Sequence, residues 1–247
     1  MRGERTSEKI KSTAAYTTAA VLLIVLTFLS RNLDGAYFAD KAPLKPVEFT
    51  LEALFIAAAA VFIARHRGKE LFKKILKYSP FVFIPLTVVF AAFFYLPDKT
   101  AASDHGFIYA LDILLSAFSA DFILCSVGCI LLLHKSRMKI AGVAVMLAAM
   151  LTYELVMAHE HAHISVIYVI AALIIGYFEI QLHMITDSAV FCATFNFLMY
   201  MAMYYTKLVS QQPEPYFGKT VSNILYGTAL FLLLGFGIYL NKKRRFK

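Results

Sequence analysis

Residues 159–163 read His159-Glu160-His161-Ala162-His163, a match to H-E-x-x-H. On a helix the outer histidines stand four residues apart on one face, so both can ligate one Zn²⁺, with Glu160 beside the metal as a general base. A third ligand would come from elsewhere, and His105, Asp104 and Asp34 lie on the same predicted side. The segment also reads as a solvated turn, a weak surface metal site or a pH-sensitive contact. A second set of polar residues lies inside apolar runs: Glu52, Asp112, Asp121, Glu154 and Glu179, with Asn196 as a neutral companion. An ionisable group that meets lipid is costly, so each marks a site where function or pairing must offset that cost. Asp121 and Cys125 share a helix face, with Cys129 one turn further. Asp112 is nine residues from Asp121 and half a revolution out of phase. Cys192, Asn196 and Tyr200 form another stripe at i, i+4, i+8. Hydrogen bonding between neighbouring helices is the plainer role for such groups.

The elements that must position these residues follow from composition. The chain has 247 residues, 60% hydrophobic and 16% charged, with a mean hydropathy of +0.68. A soluble domain of that length carries more charge, and disorder or a disulfide scaffold fits no better. Lipid leaves backbone groups to be satisfied internally, so long apolar runs are expected as helices. Eight are predicted, over 14–30, 47–64, 80–96, 107–133, 140–158, 164–182, 188–206 and 221–240. The fourth, 27 residues long, reads as a short interfacial helix followed by a span, or as one tilted span. Cys125, Cys129 and Cys192 all lie in apolar runs and read as small packing residues, not as a disulfide framework.

Basic residues set the expected orientation. Four lie in the N-terminal tail, six in 65–79, three in 134–139 and five in the C-terminal tail. That is 18 of 24, all on alternate connections, so both termini are predicted cytoplasmic. The 183–187 turn should be cytoplasmic too but has no Lys or Arg. The net charge of +8 therefore reports topology, and nucleic acid is not an expected partner. Residues 69–78, with Leu71, Phe72, Ile75 and Leu76 among four lysines, read as an amphipathic surface helix facing anionic headgroups. The basic N-terminus before an apolar run reads as an uncleaved signal anchor. The whole of 1–247 is expected to be a single integral domain of the cell (cytoplasmic) membrane, with 65–79 a basic amphipathic cytoplasmic connection.

In order along the chain, the polar residues resemble the motifs of the CPBP membrane proteins, which include CAAX prenyl endopeptidases, bacteriocin-processing enzymes and bacteriocin self-immunity proteins. That family has E-E-x-x-x-R at the start of a span, F-x-x-x-H late in the next, and H-x-x-x-N or H-x-x-x-D after a glycine-marked helix. The corresponding segments here are Ala120-Asp121-Phe122-Ile123-Leu124-Cys125, Met150-Leu151-Thr152-Tyr153-Glu154 and Cys192-Ala193-Thr194-Phe195-Asn196, with Gly176-Tyr177 at the glycine. The intervals of 33, 22 and 16 residues are close to the family's, and the resemblance covers about 100–200. It implies Asp121, Glu154, Cys192 and Asn196 as the site residues. It also implies intramembrane peptide hydrolysis, for which the family is thought to use a glutamate pair and two histidines. Here Ala120 and Asp121 stand for the glutamates, Cys125 for the arginine, and Glu154 and Cys192 for the histidines; only Asn196 matches outright. His159 is an alternative occupant of the second motif, with Leu155 for its phenylalanine.

The expected function is therefore that of a degenerate CPBP-like homologue acting by binding, self-immunity or scaffolding, with membrane lipid and a membrane-bound peptide or protein as partners. Asp121 and Glu154 could still share a proton and divide general base and acid roles, as an active protease would need. A metalloprotease using His159, His163 and Glu160 is the alternative, and zinc its cofactor; otherwise no cofactor is expected. A small-solute transporter is the lesser alternative, since no internal repeat of the transporter kind is found.

Overall fold

The computed structural model describes residues 2–38, 45–66, 72–95, 106–135, 139–158, 165–205 and 214–245. All the regular structure among them is helical. The helices are α1 (Arg2–Phe38), α2 (Pro46–His66), α3 (Phe72–Ala92), α4 (Gly106–Ala120), α5 (Ile140–Ala158), α6 (Val166–Thr186), α7 (Ala189–Tyr200) and α8 (Gly218–Arg245). Two carry on past their regular turns in wider, π-helical form: α4 through Asp121–Val127 and Cys129–Lys135, and α7 through Met201–Tyr205.

Each of the eight apolar runs coincides with one helix. Among the described residues, five helices are long and apolar enough to cross a membrane: Thr6–Asp34, Pro46–His66, Gly106–His134, Val166–Thr186 and Gly218–Lys243. Leu76–Ala92, Ile140–Val156 and Ala189–Met203 are apolar but shorter. At ~1.5 Å per residue, 17 residues reach roughly 25 Å, short of a hydrocarbon core of about 30 Å. Side chains on the outer faces suit lipid: Phe107, Ile140, Val166 and Phe231 are all more than three-quarters exposed.

α4 is the central post. Its apolar window is 78% buried, against 17% in α2 and 28% in α1 and α8. It packs against α2 and α7 most closely, while α3 and α6 flank α8. Where α4 widens, its backbone needs outside partners, as π-helical turns inside an α-helix generally do. The Tyr16 hydroxyl of α1 supplies one, donating to the Leu124 carbonyl at 2.9 Å. Gly128 lets α1 and α5 close on this segment: a Cβ there would stand 2.9 Å from a Tyr16 ring carbon and 3.0 Å from the Met146 methyl. Cys125, Cys129 and Cys192 are all buried as reduced thiols.

The structure decides several sequence expectations. Of the two forms expected for the fourth run it shows one continuous helix, because the π-helical turns keep the backbone bonded past Ala120. The expected surface helix at 69–78 is not separate: from Phe72 onward it is the first turns of α3. Pro80 would break that continuity by removing the donor to Leu76, but Ser79 Oγ donates to the Leu76 carbonyl at 2.9 Å instead. The turn without basic residues has little surface on which to carry them. α6 runs to Thr186, Asp187 takes a left-handed conformation (φ 57°), and Ser188 already caps α7 by accepting from Phe191 N at 3.1 Å. Thr186 and Ser188 are fully buried.

Candidate functional site

A chamber of about 40 Å³ lies among α4, α5, α6 and α7, closed on one side by Tyr226 of α8. A single water needs roughly 10–15 Å³ on this measure, so about three waters fit. Each helix contributes one stripe at helical spacing. α4 gives Asp121 and Leu124, α5 gives Met150, Tyr153 and Glu154, and α7 gives Asn196, Met199 and Tyr200. α6 gives Tyr168, Ala172, Gly176 and Glu179. Gly176 keeps α5 and α6 close, since a Cβ there would meet Leu147 at 3.3 Å and Met150 at 3.4 Å.

The structure thus brings together three of the four residues predicted as catalytic: Asp121, Glu154 and Asn196. Asp121 opens the widened part of α4 and is 1% exposed. Neither of its carboxylate oxygens receives an N–H or O–H, and the Cys125 thiol, a weak donor, lies beside it. Glu154 is held at one oxygen, accepting from the Tyr168 hydroxyl at 3.0 Å. Cys192 is off the chamber wall, fully buried between α6 and α7, where its thiol faces the Glu179 carbonyl at 3.9 Å. Glu179 takes the place on the wall instead, with Oε1 unpartnered. Sequence reasoning ranked Glu179 only as an acid in a span. Its register with Tyr168, Ala172 and Gly176 was the available signal, because those residues share one face of α6.

A second polar cluster joins the end of α1 to the starts of α2 and α4. The Asp34 carboxylate caps α2, accepting from Val47 N at 3.2 Å and Glu48 N at 2.9 Å. Arg31 Nε donates to Glu48 Oε1, an ion pair with side chains 7% and 0% exposed. Lys45 pairs with Asp112 at 2.9 Å and stands 3.4 Å from Glu48 Oε2. Glu52 accepts from Ser116 Oγ at 2.9 Å. Asp112 and Asp121 therefore look in different directions from one helix, as their half-turn offset requires.

His159, Glu160, His161 and His163 lie outside the described residues, as do Asp104 and His105. Asp34, the remaining candidate third ligand, is committed to the α2 amides. Among the described residues no three His, Cys, Asp or Glu side chains are grouped so as to hold a metal ion.

No family model, curated protein or solved structure matches the chain. Among the described residues, the fold and site together define a helical protein with five helices long and apolar enough to cross a membrane and a buried acidic chamber among them.

Proposed function

We propose that this chain is an eight-span protein of the cell membrane, both termini cytoplasmic, built on a CPBP-like plan whose site has lost its hydrolytic groups. Its role is then to bind a membrane-embedded peptide or protein partner, as a self-immunity or scaffolding protein does. One observation carries the reading. The positions that the resemblance marks on three separate helices, Asp121, Glu154 and Asn196, line a single chamber. The chamber's composition supports binding over cleavage. Lys, Arg and His are missing from its described lining, so the histidines of the family's site have no counterpart there. Cys192, at the position of a family histidine, is turned away from it.

The test is hydrolysis of membrane-tethered peptides in proteoliposomes, wild type beside an Asp121→Asn/Glu154→Gln double variant. Wild type should release no more product than the variant; product lost on either substitution would restore the protease. Orientation is checked separately with a membrane-impermeant maleimide. Thr100→Cys and Ser210→Cys should react in intact cells, and Gly68→Cys and Ser136→Cys only after permeabilisation. The reverse pattern would invert the topology.

A further inference from the structure

On the outside of the bundle, α3 and α8 leave between them a groove of about 370 Å³, lined by Phe81, Phe231, Leu232, Gly235, Phe236 and Tyr239. Its walls are ordered by ring packing. Phe81 stacks on Tyr239 (5.6 Å, 17°) and meets Phe236 edge-on (5.0 Å, 87°). Its floor is Gly235, where a Cβ would meet nothing within 4 Å. Phe231 and Tyr239 are 77% and 47% exposed, so the groove opens outward, not toward the chamber.

The groove's chemistry changes at one end. Lys243 reaches over the rings of Tyr78 and Tyr239, its ammonium 5.4 Å and 5.5 Å from their centroids. Tyr78 is 2% exposed, yet its hydroxyl has no hydrogen-bond partner. That hydroxyl is itself buried, so the group a ligand can reach at this end is the Lys243 ammonium, which also donates to the Tyr239 hydroxyl at 3.5 Å. The sequence around this end is strongly basic, with Lys77 next to Tyr78 and Lys242-Lys243-Arg244-Arg245 closing α8. An apolar slot ending in a cation has the two-part form of a single lipid.

We propose that this groove binds an anionic phospholipid from the leaflet at the basic end of the bundle. One acyl chain lies over Gly235 against Phe81 and Phe236, and the phosphate accepts from Lys243. The site is independent of whether the central chamber is catalytic.

Native mass spectrometry of the full chain in detergent tests it, with phosphatidylglycerol, phosphatidylcholine of the same chains, and inorganic phosphate as probes. A basic side chain near an anionic surface contributes an effect of about five-fold, so the wild type should retain phosphatidylglycerol about five-fold over phosphatidylcholine. Lys243→Ala should erase that preference. Gly235→Phe should reduce retention of both lipids, and the open space at its Cβ lets the fold accept the ring. The proposal is overturned by equal retention of the two lipids in wild type, or by a preference that survives Lys243→Ala. Lipid retention unchanged by Gly235→Phe, or inorganic phosphate displacing phosphatidylglycerol, would overturn it as well.

Discussion

The bundle buries acids in two places and treats them differently. At the junction of α1, α2 and α4, Asp34, Glu48, Glu52 and Asp112 each have at least one oxygen engaged, by helix amides, Arg31, Ser116 and Lys45 respectively. In the chamber, Asp121 has no N–H or O–H on either oxygen; Glu179 leaves one bare, as Glu48, Glu52 and Asp112 also do, and Glu154, like Glu52, accepts from a single hydroxyl. Residue type is the same in both; what differs is that the junction supplies cations, Arg31 and Lys45, and the chamber's described lining supplies none. A paired acid is committed to the fold. An acid without a partner has its hydrogen-bonding capacity free for waters or a guest, which is why the chamber and not the junction is read as the functional site.

That contrast predicts opposite responses to neutral substitutions. At the junction, Arg31→Met leaves buried Glu48 with only the longer contact to Lys45, and breaking a buried pair from one side costs about 3–5 kcal/mol. Unfolding in detergent, followed by circular dichroism, should show that loss, and the Arg31→Met/Glu48→Met double variant should recover most of it, since a buried pair and an apolar replacement are often close in stability. A single variant that unfolds like wild type would mean the junction is no tighter than the chamber, and the comparison would fail at its stronger end.

How far this division was legible in the sequence depends on what kind of signal each part leaves. The helices were readable because apolar runs are long and basic residues punctuate them. The phase of Asp112 against Asp121 was readable because α4 stays regular up to Ala120, so 100° per residue holds between them. Cys192 went astray for a related reason: it shares a stripe with Asn196 and Tyr200, but α6 packs so close at that level that the thiol meets the Glu179 carbonyl. The junction itself was not foreseen. Arg31, Asp34, Lys45 and Glu48 sit where one helix ends and the next begins, and their pairing is set by the angle between α1 and α2, which no periodicity encodes. The continuity of α3 through Pro80 was equally hidden, resting on one serine hydroxyl. The chamber's fourth side chain, Glu179, was in plain view as an acid in a span, and only the packing of α6 gave it a place.

The smallest effect is expected at the residue that sequence and structure both single out. Asp121→Asn removes a carboxylate that receives no N–H or O–H in the fold, so no such hydrogen bond is lost with it. It keeps the size and shape of the side chain, and an amide carries no charge to bury. Stability should move by less than about 1 kcal/mol, either way, in the same detergent unfolding measurement. The substitution is informative because its expected silence is specific. If Asp121 were a structural pair of the Glu48 kind, with a donor bound to its carboxylate, asparagine would leave that donor short of its charged acceptor and the loss would approach that of Arg31→Met. A destabilisation of that size would place Asp121 with the junction acids and remove the distinction between the two clusters. A near-neutral result, beside a large loss at Arg31, leaves Asp121 as an acid that the fold carries without using.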